Sequence, residues 1–161
     1  MADRTPIQAV TFAIGKEEFA VPVPFVREIL DYREPFAIPN APAHFVGLID
    51  VRGQGIAIID LRLRLGLARA EPTLQTRVLV MELPQQDKTL VIGLVIDKAL
   101  SVSAFNPDEI DTSPDIGVQW RSDYIQGVVR KQGGFIVLVD IGRIITGDDA
   151  ALLAQQWPQA A

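Results

Sequence analysis

The 161-residue chain contains no cysteine, a single histidine and only 7% aromatic residues. Without cysteine it can form no disulfide, no thiol nucleophile and no cysteine-ligated zinc site, and a reducing cytoplasmic location fits this composition. The N-terminal residues contain no apolar run of signal-peptide length, and a run of about 20 apolar residues occurs nowhere in the chain. We therefore expect a soluble, unexported protein that does not insert into a membrane.

Positive charge is also scarce, because 15 lysine and arginine residues stand against 20 aspartate and glutamate residues, for a formal net charge of −5. Binding to phosphate backbones depends on clustered basic residues, so nucleic acid is not an expected partner. Apolar residues make up 48% and charged residues 22% of the chain, as in an ordinary globular protein. A chain of this length can bury its own core as one domain spanning residues 1–161.

The residues that usually perform catalysis are poorly represented. His44 has no cysteine partner and no GxSxG motif accompanies it, so we expect it to pack or hydrogen-bond at the start of a strand. The acidic segment 106–111 lacks the spacing of a calcium loop, and no metal or cofactor is expected. Asp60 and Asp140 could act as paired carboxylates in a cleft, but each directly precedes a short helix, where capping is the stronger interpretation.

Apolar and β-branched runs of four to eight residues, separated by turn residues, predict a chain of short strands. The Gly-Gln-Gly at 53–55 is interpreted as a turn between two of them, since a phosphate-binding loop needs more glycines and a following helix. Many short strands with little helix are typical of an all-β sandwich or barrel. The predicted strands are 9–14, 18–23, 44–51, 55–60, 77–83, 90–96, 123–129 and 135–140.

An internal repeat is visible when residues 47–65 are shifted by 80 positions onto residues 127–145. Gly47 then aligns with Gly127 and Asp60 with Asp140, while aliphatic residues align between them. The upstream hairpins match more loosely. We infer twin β-subdomains that share a core, because each alone would be marginally stable at this length. Chance similarity between two hairpins is the alternative.

Three motifs occur in one order: VREIL from Val26, IPNAPAHFVGLIDVRG from Ile38 and IIDLRLRLG from Ile58. Together with GLVIDKALSV (93–102), SPDIGV (113–118), DYIQGV (123–128) and IVLVDI (136–141), this order resembles the CheW family of coupling proteins in bacterial chemotaxis arrays. The resemblance extends over roughly residues 8–153. Several motifs in order are much more specific than any one of them.

The resemblance implies a mainly β fold of two packed SH3-like five-stranded β-barrel subdomains, at about 8–66 and 77–145. A C-terminal helix at about 141–157 is expected to pack back on them. It further implies a non-catalytic adaptor that links the helical hairpin tips of chemoreceptors to the regulatory domain of the histidine kinase CheA, at membrane-associated arrays. A coupler for twitching motility or second-messenger control is one alternative. A small-molecule sensor or hydrolase that uses the cleft is another.

The family's receptor-binding positions map onto Val26, Glu28, Arg52 and Val102. The two valines could form an apolar floor for a receptor helix, and Arg52 could donate to receptor carboxylates or carbonyls or be held by Glu28. Plain core packing is the alternative for the valines, and an exposed charge of little consequence is the alternative for Glu28 and Arg52.

Kinase contacts are assigned to Val23 and Leu30, on the first subdomain. Five residues are expected to serve the fold rather than a ligand: Gly47, Gly53, Gly127, Asp60 and Asp140.

Two departures from the family pattern concern this same region. Asp50 replaces the usual asparagine before x-Arg-Gly, and Ala57 replaces the proline before the aliphatic run. Since Asp50 could partly neutralise Arg52, we expect receptor preference to differ from that of a general coupler.

Overall fold

The computed structural model of the chain describes residues 5–85, 88–111, 124–131 and 133–144. Within these ranges the protein is mainly β, as predicted. Short 3-10 turns cover Val23–Phe25 and Pro107–Glu109. The elements are β1 (Ile7–Ile14), β2 (Glu17–Pro22), β3 (Val26–Asp31), β4 (Phe45–Val51), β5 (Gln54–Asp60), α1 (Leu61–Arg64), β6 (Arg77–Gln85), β7 (Lys88–Ile96), β8 (Lys98–Phe105), β9 (Ile110–Asp111), β10 (Ile125–Lys131), β11 (Gly134–Val139) and α2 (Ile141–Ile144).

All eight predicted strands are present, with ends displaced by at most two residues. The list of eight omitted β3, β8 and the two-residue β9. These three strands lie at sheet edges, and their exposed positions break the continuous apolar runs on which the prediction relied. The predicted C-terminal helix at 141–157 is described only over Ile141–Ile144, and its remainder lies outside the described residues.

The strands form two sheets. One has six strands in the order β8-β1-β2-β11-β10-β9, and the other has five in the order β3-β6-β7-β5-β4. Neighbouring strands are antiparallel except at two places, where β2 pairs with β11 and β5 pairs with β7 in parallel. Two parallel neighbours cannot be joined by a tight hairpin, so both of these pairs bring together distant parts of the chain.

The predicted division at 8–66 and 77–145 needs correction, because each sheet takes strands from both segments. The β1–β2 hairpin pairs with β8 and β11 of the later segment, whereas the β6–β7 hairpin pairs with β3 and β5 of the earlier one. The exchange supplies a partner strand on both sides of each hairpin, so neither hairpin is left with an unpaired edge. The two halves of the repeat are thus interlocked rather than placed side by side.

The repeat itself is present in the structure. In both halves the second hairpin has a register shift just before its glycine, Gly47 in β4 and Gly127 in β10. At the end of each hairpin an aspartate N–H donates to a carbonyl at the start: Asp60 to His44 over 2.8 Å and Asp140 to Tyr124 over 2.7 Å. The matching order of strands in the two sheets extends this correspondence to the whole fold.

Most central strands are buried on both faces, which explains their continuous apolar runs. In β5, for example, Ile56 and Ile58 pack in a cluster confined to the five-stranded sheet, while Ala57 and Ile59 face a second cluster. That second cluster also contains Phe12 of the other sheet, so the expected common core is confirmed. A third cluster belongs to the six-stranded sheet alone.

Gly47 lies where the backbone at Phe36 comes close to β4. Its φ is +147°, and a Cβ placed there would lie 2.3 Å from the carbonyl oxygen of Phe36, which pairs with Leu48 through two backbone hydrogen bonds. A side chain at this position would have to separate the Phe36 segment from β4.

Substitution Gly47→Ala is therefore expected to lower the free energy of unfolding by roughly 2 to 4 kcal/mol, because it combines a backbone clash with an unfavourable φ. Urea unfolding followed by circular dichroism measures the effect. Gly55→Ala is the control, since no atom lies within 4 Å of its added Cβ, and its stability should be unchanged or slightly raised. Equal stability of the two variants would contradict the close approach.

Candidate functional site

The site is built on the edge strand β3 of the five-stranded sheet. Alternate residues of β3 face inward, and the half-buried set consists of Val26, Glu28 and Leu30. The register against β6 shifts between Val26 and Glu28, which places Arg27 in a bulge on the exposed side. A carboxylate thus occupies a position in β3 where the alternation calls for an apolar residue.

The turn between β4 and β5 belongs to the other edge of the same sheet, and its side chains reach β3. Val51 pairs with Gln54, so the turn consists of Arg52 and Gly53, with φ values of +52° and +83°. The predicted turn at 53–55 is therefore displaced by one residue. Two positive φ values are the mark of a type I′ hairpin turn, whose first position favours asparagine, aspartate or glycine. Arginine occupies it here despite an unfavourable backbone conformation.

The turn and the strand are joined by a bidentate ion pair. Arg52 Nη1 donates to Glu28 Oε2 over 2.6 Å, and Arg52 Nη2 donates to Oε1 over 2.8 Å. The Glu28 side chain is 21% exposed and that of Arg52 73%, so the carboxylate is the inner partner. Hydrogen bonding to Arg52 lowers the pKa of Glu28, and the same bond raises the pKa of Arg52. Both groups are charged at neutral pH.

Two further hydrogen bonds join the same two edges of the sheet, and an ion pair links β3 to its neighbour β6. Arg27 donates to Gln54 over 3.4 Å and forms an ion pair of 2.7 Å with Glu82 of β6, while Arg33 donates to the backbone carbonyl of Asp50 over 2.9 Å. We call this group of residues the edge cluster: Arg27, Glu28, Arg33, Asp50, Arg52, Gln54 and Glu82. It contains three arginines and three carboxylates, and its formal charge is zero.

The second half of the repeat has different chemistry at the equivalent position. Ser101 of β8 lies opposite Thr11 beside a register shift, just as Glu28 lies opposite Val80. The Ser101 hydroxyl is 2.9 Å from that of Thr11 and 3.1 Å from that of Ser103. The residue equivalent to Arg52 is Gln132, which lies outside the described residues. The repeated scaffold thus carries the Glu28–Arg52 pair on one half, while hydroxyl groups occupy the matching strand.

Among the four predicted receptor-binding residues, the structure brings Glu28 and Arg52 into contact. Val26 is half-buried and packs against the shared core. Val102 lies on β8, at the edge of the other sheet, and is 64% exposed. The two predicted kinase-binding residues, Val23 and Leu30, are both half-buried, Val23 against the shared core and Leu30 against the core of the five-stranded sheet.

Three of the residues assigned to the fold occupy the ends of the repeated hairpins. The Asp60 carboxylate accepts from Arg62 N–H at the start of α1, over 3.0 Å. Asp140 precedes α2, and its backbone carbonyl accepts from the N–H groups of Arg143 and Ile144. A Cβ on Gly127 would lie 2.5 Å from Ile110, the counterpart of the close approach at Gly47.

A separate ion pair lies where the two sheets join. Arg62 Nε donates to both carboxylate oxygens of Asp97, over 3.0 and 3.2 Å, and the Gly15 N–H donates to Asp97 Oδ2 over 2.7 Å. Asp97 lies between β7 and β8, so this contact links α1, the β1–β2 turn and the crossing from one sheet to the other. Although burial opposes it, hydrogen bonding to Arg62 and Gly15 lowers the pKa of Asp97.

A polar cavity of ≈ 180 Å³ adjoins this ion pair and is lined in part by Tyr32, Asp60, Arg62 and Asp97. Asp140 is not among its lining residues. The paired aspartates on which the cleft-enzyme alternative depends are therefore not assembled in this cavity. Among the described residues, moreover, no group of three or more His, Asp or Glu side chains is arranged to hold a metal ion.

Several residues of these two sites were not predicted from the sequence. Arg27 lies beside Glu28 on β3, and Arg33 follows the end of that strand. Charged residues in and around a strand are by themselves typical of an exposed sheet edge and do not indicate a site. Arg62 and Asp97 offered a clearer signal, because each is a charged residue near the end of a buried apolar run. A charge in such a place needs a partner of opposite sign.

Comparisons with known proteins agree with the fold and its motifs. A family model described as the CheW-like domain matches residues 8–149. The chain is 30% identical over 142 residues to the chemotaxis protein CheW of Rhizobium meliloti (strain 1021), covering 88% of this chain and 89% of that protein. It is 27% identical over 143 residues to CheW of Bacillus subtilis (strain 168), covering 88% of each.

Among solved structures, the scaffolding protein TtCheW from Thermoanaerobacter tengcongensis superposes with a TM-score of 0.76 at 20% identity. The match covers 89% of this chain and 95% of that one. At this level of identity the likeness concerns the fold.

The Glu28–Arg52 pair is expected to contribute little to stability. Substitution Arg52→Gly removes an exposed ion pair but also relieves the positive φ of arginine, so the two effects oppose each other. Thermal unfolding of the variant should have a midpoint within about 2 °C of wild type. A substantial drop in the midpoint would show that the pair is needed to hold the sheet edges together.

Asp97, in contrast, is expected to stabilise the fold in a pH-dependent way. Its lowered folded-state pKa means that the contribution is complete above the usual aspartate value of 3.8 and is lost as the pH falls through the folded value. Asp97→Asn should lower the free energy of unfolding by roughly 1 to 2 kcal/mol at pH 7.

Urea unfolding of wild type and Asp97→Asn at pH 7, 5 and 3 measures the difference between their free energies of unfolding. This difference should be the same at pH 7 and pH 5 and smaller at pH 3. Asp31→Asn serves as the control, because that side chain is 94% exposed and should have no effect at any pH. A difference that persists undiminished at pH 3 would contradict a role for the ionised carboxylate.

Proposed function

The chain belongs to the CheW family, whose members are non-enzymatic chemotaxis adaptors, and we propose that it couples chemoreceptors to the histidine kinase CheA. The match extends over most of the fold, and the motifs that carry it include both residues of the Glu28–Arg52 pair. The coupling role requires surfaces for two protein partners. It requires no cofactor and no catalytic group.

One observation carries the receptor half of the proposal, namely that Arg52 is held in an unfavourable backbone conformation with its side chain fixed on Glu28. Strained residues persist where the surrounding structure fixes them, and they are concentrated at functional sites. The pair is exposed and therefore a weak source of stability. Binding of a partner explains why arginine, rather than the glycine or asparagine that the turn favours, stands at this position.

The proposed receptor-binding surface comprises Glu28 and Arg52 together with Val26 and Val102. Val102 supplies an exposed apolar side chain that a receptor helix could cover, whereas Val26 supports the strand that carries Glu28. For the kinase we propose the region around Val23 and Leu30. Directly before Leu30 lies Ile29, an exposed apolar residue on the outer side of β3.

We further propose that the protein acts in the cytoplasm and reaches the membrane through its partners. In the portion of the chain that the structure describes, no helix has the length and apolar character needed to cross a bilayer. Recruitment to arrays would then depend on receptor contacts.

Co-sedimentation with receptor-bearing membranes tests the proposal. Wild-type protein should sediment with membranes that contain receptors and should increase the recruitment of CheA. Arg52→Ala and Glu28→Ala should each reduce recruitment of the chain at least about fivefold, since hydrogen bonds made by charged groups are worth about 1.5 to 3 kcal/mol in general.

The matched controls are Lys131→Ala and Glu18→Ala, which break an exposed ion pair of 3.0 Å on the other sheet. These two variants should be recruited like wild type. Wild-type protein that fails to sediment with receptors would contradict the function, whereas equal recruitment of all variants would contradict only the site.

A further inference from the structure

The cavity beside the Arg62–Asp97 ion pair has the size of a site for a small molecule. Its volume is ≈ 180 Å³, and a cavity of about 150 Å³ accepts a ligand with about six non-hydrogen atoms. The segment 69–72, between α1 and β6, forms one side of it. Other parts of the wall are apolar or aromatic, from Tyr32, Pro35, Val46 and Val95. No residue of this wall belongs to the proposed receptor-binding or kinase-binding surfaces.

The charged side chains of the cavity wall carry an excess of negative charge. Two guanidinium groups face four carboxylates, so their formal charge is −2: Arg62, Arg69, Glu34, Asp60, Glu71 and Asp97. Arg62 is already engaged, because it donates to Asp97 and to a backbone carbonyl of the adjoining segment. No hydrogen bond or ion pair of Glu34 or Glu71 occurs within the part of the chain that the structure describes. These two carboxylates are available to a ligand.

Other polar groups of the wall have acceptor capacity to spare. Thr76 is only 6% exposed, and its hydroxyl oxygen accepts one backbone hydrogen bond, over 2.8 Å, which leaves a second lone pair. Asp60 uses Oδ1 to accept from the first turn of α1, so that Oδ2 remains. Burial and the negative charge of Glu34 raise the pKa of Tyr32, which places the phenol close to that carboxylate. A ligand that brings donors and positive charge would satisfy these groups.

A metal ion does not fit this arrangement. Among the described residues no group of three or more His, Asp or Glu side chains is arranged to hold one, so the carboxylates are spread along the wall and do not converge on a point. An elongated cation with a charge at each end can reach separated carboxylates while its apolar middle packs on the valines. Ammonium groups have three donors and no acceptor, and the face of an aromatic ring attracts them. A diamine with a chain of about four carbons has the opposing charge and the size that the cavity accepts.

We propose that this cavity binds a small alkyl diamine, whose ammonium groups lie on the carboxylates of Glu34, Asp60 and Glu71. Its methylene groups pack against Val46 and Val95. This inference is independent of the proposed coupling function. Since the Arg62–Asp97 pair belongs to the same wall, the bound diamine adds contacts beside the junction of the two sheets.

Isothermal titration calorimetry of the whole chain with 1,4-diaminobutane tests the inference, and butane-1,4-diol is the neutral ligand of similar shape. The principal variant is Glu34→Gln combined with Glu71→Gln, which changes two exposed side chains and should leave the fold intact. The matched control is Glu17→Gln combined with Asp108→Asn. It removes two exposed carboxylates that do not line the cavity, and it changes the net charge by the same amount.

We expect wild type and the control to bind the diamine alike and the diol not to bind. The principal variant should bind about tenfold more weakly, since two exposed ion pairs are lost. In amide NMR spectra of the wild type, the diamine should cause the largest shift changes on residues 32–37 and 69–76.

Equal affinity of the principal variant and the control would overturn the inference, because it would show that the diamine is attracted only to an acidic protein as a whole. Absence of diamine binding by the wild type would also overturn it. Binding of the diol with the affinity of the diamine, or shift changes centred on other residues, would do the same.

Discussion

The exchange of hairpins between the two halves of the chain is the constraint on which the remaining structure depends. Each sheet is completed by a hairpin from the other half through one parallel pairing, β2 with β11 or β5 with β7. The two halves cannot separate unless strand pairing is lost in both sheets. The shared apolar cluster and the Arg62–Asp97 ion pair form at the junction that this exchange creates. The surfaces of the molecule are consequently held in a fixed relation, as an adaptor between two partners requires.

The internal repeat also helps to separate residues that serve the scaffold from residues that could serve a partner. The two second hairpins share their glycines, their aspartates and their closing hydrogen bonds, and these shared features serve the scaffold. The Glu28–Arg52 pair belongs to one half, and Ser101 occupies the matching place on the other. Arg52 is retained in a turn position that does not favour it. Departure from the repeat, combined with local strain, is thus the basis on which we propose that these two residues serve a partner.

Much of the fold could be predicted from the sequence because its central strands are buried on both faces and form continuous apolar runs. The edge strands β3 and β8 were harder to predict, since bulges and exposed polar residues interrupt their patterns. The exchange of hairpins was not predictable from local patterns, which show that a segment is a strand but not which strand it pairs with. For the candidate site, motif order predicted Glu28 and Arg52, which the structure brings into contact. The contacts of Arg27 and Arg33 depend on how closely the two sheet edges approach, and only the structure shows that.

We propose that the receptor binds where the repeat is broken, at Glu28 and Arg52. Amide NMR spectra of nitrogen-labelled protein, recorded during titration with a receptor cytoplasmic fragment, test this proposal. We expect the largest shift changes on residues 26–31 and 50–55, while the equivalent hairpin at 125–139 is little affected. Changes centred on residues 125–139, with 26–31 and 50–55 unaltered, would contradict it.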